Sequence, residues 1–146
     1  MGRPCTFDES EVLRRARGAS RNMEGDDADA FARLERRLRV KPTDCPGPRR
    51  GCMLAKATAE RASEDPDVAR VSAAAYAAYE RAFVDCFGGA QAVGDIREDI
   101  EPAAGGALML AVMRGIEALG RAGHSTAALQ AIADAALQSV ATIGPR

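Results

Sequence analysis

The segment PAAGGALMLAVMRGIEALGRA, residues 102–122, decides the fold. Pro102 follows Glu101, and proline suits the first turn of a helix because the amide hydrogen it lacks has no partner there. Wound at 100° per residue, Leu108, Met109, Val112, Met113, Ile116 and Leu119 cover one side, while Ala107, Ala111, Gly115, Ala118 and Ala122 cover a second. Only Arg114, Glu117 and Arg121 form a thin polar strip, with Leu110 beside it. A helix patterned in this way is covered on two sides: small residues let another backbone approach, and large ones fill space.

Working outward, Ser125 is placed to cap a helix over 126–143, and Gly123-His124 makes a tight turn before it, so the two helices form an antiparallel hairpin. The second helix is one-sided, with Leu129, Ile132, Ala133, Ala136, Leu137, Val140 and Ile143 set against Gln130, Asp134 and Gln138. A 146-residue chain has too few elements to cover both sides of the first helix and the whole stripe of the second. A second copy would supply the cover, giving a four-helix bundle about a twofold axis. The residues expected at that interface are Leu108, Val112, Ile116, Leu119, Leu129, Ile132, Ala136 and Val140. The plainer alternative is that these side chains complete the core of a monomer.

Toward the N-terminus, a helix over 66–87 is capped by Asp65 with Pro66 in its first turn, and Gly88-Gly89 reads as its end. Its large residues Val68, Val71, Tyr76, Tyr79, Phe83 and Phe87 share a broad face opposite Arg70, Arg81 and Asp85. Residues 90–99 read as a linker with one helical turn. A helix of small residues spans 52–63. Pro42, Pro46, Gly47 and Pro48 make 41–51 a loop and the best internal boundary. Before it lie a helix over 26–40, whose narrow stripe is Phe31, Leu34 and Leu38, and a short helix opened by Asp8 and Glu11 as in a capping box and closed by Gly18.

Composition agrees. Alanine accounts for 31 residues against eight valines, five isoleucines and no tryptophan, which favours an all-α domain over a pleated sheet. The apolar runs are shorter than a bilayer requires, and Met1-Gly2-Arg3-Pro4 is no secretory signal, so the expectation is a cytoplasmic protein without a membrane partner. Cys5, Cys45, Cys52 and Cys86 form no C-x-x-C pair, which speaks against a disulfide scaffold or a zinc module; no metal and no cofactor are expected. The first fifty residues hold 12 of the 20 basic groups against 9 acidic ones, a tilt too mild to define a nucleic-acid binder.

The residues also carry a resemblance. Gly2-Arg3-Pro4, Phe7-Asp8-Glu9 and Glu11-Val12-Leu13 look like the opening of a TetR/AcrR-type transcriptional regulator. Pro48-Arg49-Arg50-Gly51-Cys52-Met53-Leu54 resembles a segment of the ligand-binding half of one branch of that family. Asp99 through Pro102, the run to Arg121-Ala122-Gly123, and Ser125 through Leu137 are similar to its two C-terminal helices, which in the family build the dimer. The departure matters as much. The family's Thr-Ser, turn glycine and Leu-Tyr-x-x-Phe run of the helix-turn-helix are missing after Arg17, where Ala19-Ser20-Arg21-Asn22 leads into the regulatory half. Losing the second helix removes the base-reading surface; Arg3, Arg14, Arg15 and Arg17 would then offer only sequence-blind phosphate contacts.

The resemblance implies two parts: a remnant N-terminal helical segment over 1–41, a truncated DNA-binding region, and a ligand-binding and dimerisation domain over 42–146. It implies a small apolar ligand too, near Met53, Tyr76, Tyr79, Phe83, Met109 and Met113, since methionines adapt to irregular shapes and tyrosines put a hydroxyl on an apolar body. Plain core packing is the competing role for each. The reading is a TetR-like transcription regulator with a truncated helix-turn-helix and no catalysis of its own, acting by ligand binding and as a homodimer or as a heterodimer with an intact TetR-type relative. Two alternatives stay open: a DNA-binding repressor with an atypical N-terminal reader, and a small helical enzyme or redox sensor using Cys45 and Cys52 near Arg49 and Arg50. His124, the one histidine, reads as an exposed turn residue.

Overall fold

The computed structural model describes residues 8–40 and 53–142. Six α-helices are found there: α1 (Glu9–Arg21), α2 (Ala30–Val40), α3 (Met53–Arg61), α4 (Pro66–Ala92), α5 (Pro102–Arg121) and α6 (Thr126–Val140), with one 3-10 turn at Asp27–Asp29. The fold is all-α, as expected, and α4 is its hub, packing against α1, α2, α3 and α5. At 27 residues it is about 40 Å long, enough to give each neighbour its own stretch. α5 in turn touches α2 and α6, and α6 touches α2. One hydrophobic cluster therefore joins Val12 and Ala16 of α1, Leu34 and Leu38 of α2, Phe83 and Phe87 of α4, Met109 and Met113 of α5, and Leu137 and Val140 of α6.

The caps act as their chemistry dictates. The Asp65 carboxylate accepts from Asp67 N–H and Val68 N–H at 3.1 and 3.2 Å, Glu101 from Ala104 N–H at 2.8 Å, and Ser125 Oγ from Ala128 N–H at 3.2 Å. Asp8 accepts from Glu11 N–H at 3.1 Å, but the Glu11 carboxylate turns to Arg14 and Arg15. Several expected boundaries shift. α1 runs past Gly18 to Arg21, the helix expected over 26–40 opens on the 3-10 turn, and α6 ends at Val140.

The largest correction concerns Gly88-Gly89, which does not end α4. A Cβ at Gly89 would lie 2.6 Å from Asp27 Oδ1 and 3.4 Å from Ala30 Cβ, so this glycine admits the α2 entrance to the helix surface. The turn comes at Gly94, whose φ of +80° is the left-handed conformation that glycine adopts without penalty. Of the linker expected over 90–99, residues 90–92 belong to α4 and the rest forms no helix. Residues 93–101 are held instead by an antiparallel bridge between Ile96 and Ala141, by Arg97 N–H to Val140 O and Thr142 N–H to Asp95 O, both at 3.0 Å, and by the Gln91 amide donating to Arg97 O and Ile100 O. Ile96 is fully buried beneath them.

α4 and α5 meet closely. A Cβ at Gly106 would sit 2.6 Å from Val84 N, and one at Gly105 would sit 2.3 Å from the Phe87 ring. α5 is also long and apolar enough to span a membrane by length and composition, which counting uninterrupted apolar residues did not register. Here it is a packed helix of the bundle, holding Met109, Met113, Ile116 and Glu117 against its neighbours.

Candidate ligand site and docking face

Of the residues assigned to ligand binding, Phe83, Met109 and Met113 are fully buried, Tyr79 is nearly so, and Tyr76 is half-buried. The side chain of Met53, at the start of α3, lies outside the described structure. What organises the two tyrosines is a pair that the sequence pattern marks only as part of a thin polar strip. The Arg114 guanidinium lies over the Tyr79 ring at 4.6 Å and the Tyr76 ring at 5.4 Å, and Arg37 of α2 lies over Tyr79 at 5.8 Å. Arg114 Nη1 donates to Glu117 Oε2 at 2.7 Å, and the Glu117 side chain is only 4% exposed. Arg114 and Glu117 of the polar strip thus face inward, while Arg121 stays exposed, and two arginines, one carboxylate and two phenol rings meet between α2, α4 and α5. Buried charge is costly, so the ion pair and the ring faces that repay it fix these side chains. Such a cluster can present donors and aromatic faces to a polar tip on an otherwise apolar molecule.

The flank of α5 expected to be covered is open. Leu108 is 46% exposed, Val112 and Leu119 are half-buried, and Ala111, Gly115, Ala118 and Ala122 are exposed. On α6, Ile132 and Ala136 are half-buried, beside exposed Ala128, Ala131 and Ala135. Three residues assigned to dimerisation, Ile116, Leu129 and Val140, belong to the subunit's own core, at 1%, 3% and 1% exposure. Leu129 turns inward against α5, where its Cδ1 is 3.3 Å from the Cβ position of Gly120.

At the other end of the molecule, Arg14 and Arg15 are committed to Glu11, and those bonds, Arg14 first, hold its carboxyl below the ordinary carboxylate value. Arg3 lies outside the described residues. Arg17 lines a cleft of about 680 Å³ between α1, the start of α2, and α4. Arg21, Arg33 and Arg81 also line it, Met23, Ala82 and Cys86 supply apolar surface, and Glu24, Asp27 and Asp85 are its acids. No sequence reading found this cleft, because its residues meet only when α1 docks on α4.

Cys86 is buried with its Sγ 3.1 Å from Ala30 O, and burial raises the thiol above its ordinary pKa, so it is no activated nucleophile. Cys45 and Cys52 lie outside the described residues, as does Cys5. His124 is exposed, with Nδ1 3.1 Å from Leu119 O. Among the described residues no group of three His, Cys, Asp or Glu is placed to hold a metal ion.

Residues 31–136 match the family described as Tetracyclin repressor-like, C-terminal domain, and the chain belongs to it. The match spans α2 through most of α6 and begins after α1 and the 3-10 turn. The family points to a regulator rather than an enzyme. No curated protein and no solved structure matches the chain.

Proposed function

We propose that this chain is a TetR-like regulator lacking a complete helix-turn-helix, which acts in the cytoplasm by ligand binding and by pairing through α5 and α6 with a second copy or with an intact relative. The observation that carries this reading is the open stripe of Leu108, Ala111, Val112 and Gly115, continued by Leu119 on α5 and flanked by Ile132 and Ala136 on α6. These α5 positions recur three and four apart, the spacing of one helix face, and small residues among them let a partner backbone come close. An apolar strip on a helical hairpin is the geometry that a twofold four-helix bundle covers.

The connection between α1 and α2 supports the loss of the base-reading helix. Only residues 22–29 join them, and Arg33 staples that link by donating to Met23 O at 3.0 Å and Asp26 O at 2.7 Å. The regulatory ligand would be a small, largely apolar molecule whose polar tip meets Tyr76, Tyr79 and Arg114, with Phe83, Met109 and Met113 around its body. Residues 1–41 are then a remnant segment whose α1 and α2 have been absorbed into the regulatory core.

Native mass spectrometry with light scattering tests this. The expected result is a dimer at micromolar concentration that Leu108→Arg converts to a monomer with an unchanged circular dichroism spectrum. A wild-type monomer, with no mixed dimer formed on adding an intact relative, would overturn the reading.

A further inference from the structure

Seven arginines of the described structure pair with carboxylates: Arg14 and Arg15 with Glu11, Arg39 with Asp134, Arg61 with Asp65, Arg70 with Glu9, Arg97 with Asp99, and Arg114 with Glu117. The cleft between α1 and α4 gathers several arginines that do not. Arg17, Arg21 and Arg81 line it and form no ion pair with any described residue, although Glu24, Asp27 and Asp85 line the same walls. Asp85 is one helical turn from Arg81 and still does not bind it; the Asp27 carboxylate lies against Gly89. Arg33, only 7% exposed, donates to two backbone carbonyls and forms no ion pair with a described carboxylate. Four guanidinium groups against three carboxylates leave the cleft cationic. Its inner surface is apolar, with Met23 and Cys86 buried and Ala82 beside them.

We propose that this cleft is a second binding site, separate from the Tyr76–Tyr79–Arg114 cluster, for a small amphiphilic anion: an oxyanion headgroup, carboxylate or phosphate monoester, on a short apolar stem. The planar fork of arginine matches the two oxygens of either headgroup, and guanidinium groups held without a partner keep that fork available. The stem lies over Met23, Ala82 and Cys86, and a volume of about 680 Å³ suits a ligand of that size. Because α1 supplies Arg17 and Arg21, an occupied cleft ties α1 to α4 and stiffens the junction just ahead of the family-matched region.

Isothermal titration calorimetry on the full chain tests the site with octanoate and octyl phosphate, whose arms separate the two headgroups, and with inorganic phosphate and octanol as single-feature controls. At least one amphiphile binds, more tightly than either control, and binding weakens with added salt. The double variant Arg17→Gln, Arg81→Gln, at two exposed positions, lowers its affinity about tenfold or more, the scale of a lost charge-assisted bond. The thermal unfolding midpoint of the variant serves as the folding control, and Tyr79→Phe leaves the affinity unchanged. Four results would overturn the proposal: no heat from either amphiphile at millimolar concentration, equal binding by the double variant, loss of binding with Tyr79→Phe, or inorganic phosphate binding as tightly as octyl phosphate.

Discussion

Gly106→Ala is the sharpest single probe of how this chain is packed. The added methyl would lie 2.6 Å from Val84 N, 2.7 Å from Val84 Cα and 2.6 Å from Val84 Cγ2, where ordinary contact begins at 3.4 Å. The valine methyl can rotate away, but the α4 backbone cannot. α4 and α5 must therefore part by about 0.8 Å along that line, loosening fully buried Phe83, Phe87, Met109 and Met113. Overpacking of this kind costs roughly 1–3 kcal/mol, and the upper half of that range applies when backbone must move. Replacing glycine by alanine inside a helix returns about 0.5–1 kcal/mol. The expected net loss is about 1–2 kcal/mol, a fall of about 3–6 °C in melting midpoint for a domain of this size. Gly115→Ala is the matched control on the same helix: nothing lies within 4 Å of its Cβ, and the site is exposed. It should stabilise the subunit by about 0.5–1 kcal/mol, while weakening association if a partner backbone rests there. Urea unfolding at matched protein concentration reads both changes. A Gly106→Ala protein as stable as wild type would refute the close approach of α4 and α5.

Further outcomes follow from other contacts. Arg33→Met leaves the carbonyls of Met23 and Asp26 without their donor and should cost about 1–3 kcal/mol; hydrogen exchange at residues 22–29 should rise before that of α4. Glu117→Gln removes the carboxylate that Arg114 holds inside the bundle, and breaking a buried pair from one side costs about 3 kcal/mol. Replacing both residues by apolar ones should cost less than Glu117→Gln alone, as a double-mutant unfolding cycle would show. Cys86 should resist iodoacetamide in native protein and react once urea unfolds it, as peptide mapping would reveal. Its raised thiol pKa means that this group's contribution to stability is complete below the ordinary thiol pKa and is lost as pH rises above it, because the unfolded state then gains a thiolate the folded state disfavours. Cys86→Ala should flatten the alkaline decline in melting temperature.

Much of the scaffold is legible one element at a time, because caps and periods are local. Asp65-Pro66, Glu101-Pro102 and Ser125 mark helix starts that the structure reproduces, and the 3.6-residue period of 66–87 and 102–122 identifies helices whatever covers them. Where reasoning from local pattern fails, two elements had to meet first. Gly88-Gly89 has the chemistry of a helix end, yet Gly89 serves an approach by Asp27 and Ala30, which are distant in sequence. Arg114 and Glu117 look like a solvated strip because charge is cheapest in water; Tyr76 and Tyr79 on α4 provide the faces that let them turn inward.

The amino-acid order by itself thus determined an all-helical chain, the starts of its main helices, and a final hairpin richer in apolar surface than one face can use. Which of those apolar residues the subunit keeps was decided only by tertiary packing: Ile116, Leu129 and Val140 went to the core, Val112 and Ile132 were only partly covered, and Leu108 stayed at the surface. The cationic cleft belongs to the same category, since Arg17, Arg33 and Arg81 come from three helices. The physical reason is range. Helix propensity and capping act over one or two turns, whereas burial depends on which distant surface arrives, and a periodic pattern records that a face is apolar without recording what will lie against it.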